Sequence, residues 1–195
     1  MKLEESFYQR EDVTRVAKEL LGKVLFTRIG QKITGGVIVE TEAYSFIEKG
    51  CHAYNNKKTE RNKVMFKSGG YAYVYLCYGI HNMFNVVTNV EDRADAVLIR
   101  ALEPIAGEKH ILKRMNSNSL KRTTSGPGKL TKALGIDRKL NGQYLLDNSV
   151  WIEDQGIKIP RSAISVSPRI GIDYAEEDAE LPWRFTIKGN EWISR

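Results

Sequence analysis

YLCYGIHNMFNVV, residues 75–87, decides the fold. Tyr75–Cys77 and Met83–Val87 carry strand-forming side chains, and Tyr78-Gly79-Ile80-His81-Asn82 between them holds the Gly and Asn that suit a tight turn. The stretch is therefore a β-hairpin, and the fold has antiparallel strands at its centre. Its tip is unusual, because hairpin tips of water-soluble proteins are small and polar. Here Tyr78 and Ile80 stand where water should be.

The pattern extends in both directions. Residues 71–78 and 83–90 read as the two arms. Upstream, KVLFTRI (23–29) and KITGGVIVETEAY (32–44) flank Gly30-Gln31 as a second hairpin. Residues 12–22 read as a helix: Asp12 can cap it, Val13, Val16, Ala17, Leu20 and Leu21 share a face, and Gly22 can end it. Residues 45–70 are polar and punctuated, which predicts a long loop with one short helical turn. Downstream, ADAVLIRALEP (94–104) predicts a buried strand stopped by Pro104, followed by helical spacing over 105–115. A polar loop at 115–126 precedes a short helix over 129–134, and further strands are expected at 150–153, 168–172 and 183–188. No period repeats and no linker divides the chain. The expectation is one α+β domain over 1–195, with a curved antiparallel β core, peripheral helices and a protruding hairpin.

Composition narrows the function. Hydrophobic residues at 42% and charged residues at 28% are ordinary for a globular chain with a real core. Apolar runs are too short for a membrane span, and the charged start, MKLEESFYQRED, has no signal-peptide core. With Cys51 and Cys77 too few for a disulfide framework, the expectation is a cytoplasmic protein, and its size suggests a monomer. The net charge of +6 is concentrated: from Lys109 to Ile136 there is no acidic residue, but there are Lys109, Lys113, Arg114, Lys121, Arg122, Lys129 and Lys132. Such a surface suits a polyanion. A solvated basic loop explains the charge equally well.

Several chemistries can be set aside. SGPGKLTK (125–132) has Thr123 where a phosphate-loop pattern needs glycine, although Ser125, Gly126 and Gly128 precede a helix whose free N–H groups suit a DNA phosphate. Cys51-His52 and Cys77-x3-His81 lack chelating spacing, and no zinc-deaminase pattern occurs, so no metal is expected. No nucleophile-elbow motif is present. Carboxylates remain: in VETEAY (39–44), Glu40 and Glu42 share one strand face with Tyr44 beyond them. Taken alone, two carboxylates on one face are most simply solvated. The alternative is a carboxylate held in a pocket beside an aromatic wall. Tyr71, Tyr73 and Tyr75 also share a face, which sheet packing explains as readily as base stacking.

VETEAY (39–44), RNKVMF (61–66), YVYLCYGIHNMFNVV (73–87), LIRALEP (98–104), SGPGKL (125–130), PRIGI (168–172) and PWRF (182–185) occur together in this order. In this the chain resembles a bacterial member of the alkyladenine, or 3-methyladenine, DNA glycosylase family, the mammalian type without a helix-hairpin-helix motif. The resemblance implies roles. Glu42 matches the general base. Arg100 matches the arginine that helps hold the attacking water, and Ile170 the residue whose backbone carbonyl also holds it. Tyr44, His52 and Tyr75 match the walls around an extruded base, and Asn85 the residue that crowds the exocyclic amine of guanine. Tyr78, with Ile80 beside it, matches the wedge pushed into the stack. The basic segment, with Lys121, Arg122, Ser125, Gly126 and Lys129, would hold the backbone of duplex DNA containing damaged bases.

Physical chemistry is consistent with that implication. A base inside a duplex must be extruded at a cost of a few kcal/mol, and an apolar wedge filling the gap offsets part of it. The tip of the 75–87 hairpin would be that wedge. The extruded base then stacks on aromatic faces at roughly 1–3 kcal/mol. Methylation at N3 of adenine or N7 of guanine makes the base cationic, so it leaves without a general acid. One carboxylate can then activate water and stabilise the sugar cation. No metal, nucleotide or redox cofactor has a role in such a reaction. The implied enzyme is a monofunctional glycosylase for alkylated purines, 3-methyladenine and 7-methylguanine, with hypoxanthine and ethenoadenine as further candidates. A non-catalytic nucleic-acid-binding module and another hydrolase or transferase on the same scaffold are the alternatives.

Overall fold

A computed structural model describes residues 1–194. In chain order, the elements begin with α1 (Glu5–Tyr8) and α2 (Val13–Leu20), then β1 (Val24–Ile29) and β2 (Lys32–Tyr44). The second hairpin is β3 (Ala72–Cys77) and β4 (His81–Thr88), followed by β5 (Asp95–Ala106). Helices α3 (Glu108–Met115) and α4 (Pro127–Leu134) precede the short strands β6 (Val150–Glu153), β7 (Ile164–Ser167) and β8 (Arg184–Ile187). The eight strands join one sheet in the order β3-β4-β5-β2-β1-β6, with β8 pairing to both β2 and β7. All of these pairings are antiparallel.

Strand β2 organises the sheet. One edge pairs with β5 along its length, and the other pairs first with β1 and then with β8. Its register against β5 shifts at Gly35/Gly36, at Ile38/Glu40 and at Glu40/Thr41. Such irregularities increase local twist and curve the sheet. Covered on both faces, β2 is buried continuously from Thr34 to Ala43. One face, with Ile38, Ala43, Phe84, Val97 and Ile99, packs on Val16, Ala17 and Leu20 of α2 and Leu130, Ala133 and Leu134 of α4. A second cluster of Cys51, Met65, Phe66, Tyr73 and Ala96 supports Tyr44 and Tyr75 on the other side.

The helices form for local reasons. The Asp12 side chain accepts from the N–H groups of Thr14 and Arg15 at 2.9 and 3.1 Å, closing the start of α2, a cap of about 1 kcal/mol. Pro127 opens α4 at the position where its missing N–H costs nothing, and Gly135 ends it in the left-handed conformation.

Four expectations need correction. Pro104 does not stop its strand: β5 continues to Ala106, and α3 begins at Glu108 rather than 105. The proline lies beside the Gly35/Gly36 irregularity, where a missing ladder donor is tolerated. Residues 168–172 form a loop, and the strand is β7 just before it. Arg169 is drawn into the interior and Gly171 takes φ +74°, so this backbone leaves the ladder. The segment 45–70 contains two short 3-10 turns, Tyr54–Asn56 and Lys63–Phe66, rather than one. The hairpin tip is tighter than expected, because Cys77 already pairs with His81.

Candidate active site

A cleft of about 510 Å³ opens beside the β3–β4 hairpin. Its lining includes Tyr44, His52, Tyr75, Asn85, Arg100 and Ile170, together with Tyr78 at the hairpin tip. These residues come from β2, the loop after it, β3, β4, β5 and the 168–172 loop, so sheet pairing is what gathers them.

Glu42 lies behind this lining with no solvent exposure. Three donors reach its carboxylate: the Ile170 N–H at 2.8 Å to Oε1, the Tyr44 hydroxyl at 2.8 Å to Oε2, and Arg100 Nη1 at 3.2 Å to Oε2. A buried carboxylate requires such charge-assisted bonds. They leave Oε1 with a lone pair that can take a proton, and the fixed negative charge can stabilise a nearby cation. The Ile170 N–H orients Glu42, a contact separate from the carbonyl role that the resemblance implies.

Glu40 is equally buried, so the solvated-face reading of VETEAY is wrong. Its Oε1 accepts from Arg100 Nε at 2.9 Å and Arg184 Nε at 2.7 Å, and the Ser194 N–H and hydroxyl complete the shell. Burial opposes its ionisation, but Arg100 and the Ser194 bonds outweigh it and hold the Glu40 carboxyl below the usual carboxylate range. For Arg100, burial is outweighed by Glu42 and Glu40, which keep the guanidinium charged.

The walls are aromatic. The His52 ring meets Tyr75 edge-on at 4.6 Å between centroids, and its Nδ1 lies 3.0 Å from the Tyr73 hydroxyl. Desolvation of the ring against the cleft walls, with Arg61 nearby, lowers the His52 imidazole from the ordinary histidine range, an effect limited because the residue as a whole is exposed. Tyr44 stays protonated, because burial and then the adjacent Glu42 charge push its hydroxyl well up. Asn85 is 4% exposed, and its amide donates to the Tyr73 carbonyl at 3.2 Å.

Behind the walls, Arg169 makes a bidentate pair with Glu48, both bonds at 2.7 Å, and also donates to the Ala43 carbonyl. Its guanidinium lies 4.8 Å from the Tyr44 ring centroid. Sequence reasoning missed Arg169, Glu48, Arg184 and Ser194. Two of them lie inside the ordered motifs, Arg169 in PRIGI beside Ile170 and Arg184 in PWRF.

Tyr78 is 89% exposed and Ile80 is 72% exposed. Of the basic segment, Lys121 and Lys129 are exposed, Arg122 is half-buried, and Ser125 is buried with a hydroxyl that has no partner among the described residues. Gly126 is half-buried at the start of α4, whose Pro127 reaches the cleft. Among the described residues, no three His, Cys, Asp or Glu side chains come together as a metal site, and no helix is long and apolar enough to cross a membrane.

Residues 6–191 match the family described as methylpurine-DNA glycosylase. A protein of Natranaerobius thermophilus is 47% identical over 197 residues, covering 100% of this chain and 99% of its own. One from Chlamydia felis is 47% identical, covering 95% of each. A third, from Clostridium botulinum, is 47% identical over the full length of both. All three carry names that provisionally assign them as 3-methyladenine DNA glycosylases.

Proposed function

The chain belongs to the methylpurine-DNA glycosylase family and hydrolyses N-glycosidic bonds in DNA, and from that premise we propose that it removes 3-methyladenine and 7-methylguanine from duplex DNA, with hypoxanthine and ethenoadenine as further substrates. The observation that carries the proposal is Glu42, a carboxylate fully buried at the wall of an aromatic cleft and held by three donors. Burying a charge costs several kcal/mol, and general-base chemistry beside the cleft gives this carboxylate a use that DNA binding alone does not.

The mechanism follows from the geometry. Tyr78 and Ile80 enter the stack as the damaged nucleotide leaves it, and the space they fill offsets part of the extrusion cost. The purine stacks among Tyr44, His52 and Tyr75. A methylated purine is a cation, and a neutral His52 spares it like-charge repulsion. Asn85 narrows the floor against the exocyclic amine of normal guanine. As the glycosidic bond breaks, the leaving base takes the bonding electron pair and its positive charge is neutralised. Glu42 then stabilises the cationic sugar and accepts a proton from the water that attacks it. Arg100 and the Ile170 N–H hold Glu42 in place, and Arg100 with the Ile170 carbonyl would hold that water in line with it.

The test is release of abasic sites from alkylated duplex DNA in single turnover. Glu42→Gln keeps the shape and loses the charge, and excision is expected to fall about a hundredfold or more while lesion binding survives. Near-parental excision by the variant would remove Glu42 from the mechanism. Because water is the nucleophile, borohydride should trap no protein–DNA adduct. A trapped adduct in good yield would instead mark an amine nucleophile.

A further inference from the structure

The first glutamate of VETEAY has no assigned part in the reaction, yet Glu40 is as deeply buried as Glu42 and has more donors. The two carboxylates share Arg100. Its Nε donates to Glu40 at 2.9 Å, its Nη1 to Glu42 at 3.2 Å, and its Nη2 to the Ser194 hydroxyl at 3.3 Å. Arg184 approaches Glu40 from β8 at 2.7 Å, and the Ser194 N–H and hydroxyl approach at 2.6 and 2.7 Å. Glu40, Glu42 and Arg100, all buried, and the half-buried Arg184 therefore form a cluster whose formal charges cancel.

An arginine beside a single carboxylate tends to pair with it through two parallel N–H bonds, engaging both oxygens. That arrangement would occupy the oxygen that Glu42 needs for a proton. Here the guanidinium cannot adopt it, because its Nε is committed to Glu40 and its far nitrogen to Ser194. We propose that Glu40, locked by Arg184 and Ser194, is a positioning residue that holds Arg100 so that one N–H, not two, reaches Glu42. The inference rests on the proposed role of Glu42 as the water-activating base. Stability alone does not account for the cluster, since a buried ion group is commonly no more stabilising than apolar packing of the same volume.

The charged and titratable groups around Arg100 and Glu42 are Glu40, Arg184 on β8, Tyr44 on β2, and Arg169 behind Tyr44. Glu40→Gln removes one negative charge from this set and weakens the hold on Arg100 Nε, whose bond to a neutral amide oxygen is no longer charge-assisted. With that hold weakened, Arg100 can turn a second N–H onto Glu42, which occupies the oxygen that must take the proton and favours the charged carboxylate.

The experiment is the single-turnover excision rate on alkylated duplex across pH, for the parent, Glu40→Gln, Ser194→Ala and Glu42→Gln, with lesion-DNA binding and thermal melting measured alongside. Glu40→Gln is expected to lower the rate about tenfold or more, to move the acid limb of the pH–rate profile to lower pH, and to keep lesion binding. Ser194→Ala removes the hydroxyl bonds to Glu40 and Arg100 but keeps the backbone bond, so it moves the same limb the same way by less. It decides the matter if Glu40→Gln does not fold. An unmoved acid limb, with rate loss that merely tracks melting, overturns the inference and leaves the cluster structural. Near-parental excision by Glu42→Gln would overturn the underlying assignment instead. Loss of excision in Glu42→Gln with an unmoved limb in the other two overturns only the positioning role.

Discussion

Tyr78 combines two features that folding alone does not favour. Its side chain is 89% exposed, and its backbone lies at φ +49°, a conformation that costs energy for a bulky residue. Glycine or asparagine would suit the position better, so the tyrosine is kept against local preference, as strained residues at functional sites often are. Tyr78→Ser should therefore change stability by about 0.5 kcal/mol or less. It should slow excision from a fully paired duplex, because nothing then fills the vacated stack. The defect should shrink opposite a mismatch, where extrusion costs less. Excision rates on paired and mismatched substrates, beside melting of the free protein, check this. A sharp loss of melting temperature with an unchanged rate ratio would make Tyr78 a packing residue.

A wedge is useful only if the element carrying it is stiff, and the hairpin is stiffened by α4. The Thr131 hydroxyl donates to the Asn82 carbonyl at 2.9 Å, and the His81 side chain packs closely against Gly128. A Cβ at position 128 would come within 2.8 Å of His81 Cγ, closer than such atoms approach. Gly128→Ala should thus push the hairpin off α4 and lower excision by about tenfold or more, as small misplacements of a working group do. His81→Ala removes the ring atoms at 2.8 and 2.9 Å and leaves its own Cβ at 3.0 Å, so the double variant should recover part of the loss, a coupling expected only of residues in contact. A double variant no better than Gly128→Ala would show that the contact does not set the hairpin's position.

Across the whole molecule, the charge of +6 is gathered in and around the segment joining α3 to α4, which runs into α4, whose Pro127 lines the cleft. If Lys121 and Arg122 meet phosphates, log K for DNA should fall linearly with log salt, by about 0.9 in slope for each contact. Lys121→Glu with Arg122→Glu should flatten that slope and weaken damaged and undamaged duplex alike, since phosphate contacts carry no base information. Titrations at several salt concentrations measure it. Equal slopes in variant and parent would return the segment to a solvated loop.

Local patterns in the chain were enough for much of this architecture. The alternation of side chains placed β2 at Lys32–Tyr44, and apolar spacing with an Asp cap located α2. Turn residues located both hairpins, and the ordered motifs named the residues that line the cleft. These signals are legible because periodicity and turn chemistry depend on neighbouring residues. Where distant partners govern, sequence reasoning failed. The carboxylates of VETEAY looked solvated because the groups that make their burial tolerable are remote: Arg184 lies 144 positions from Glu40 and Ser194 lies 154. PRIGI looked like a strand because nothing nearby reveals that Arg169 turns inward to Glu48, 121 positions away, or that the Ile170 N–H goes to a carboxylate. A chain segment carries its own periodicity, but a charge can be buried only where folding brings its counter-charge, and that was decided by the tertiary structure alone.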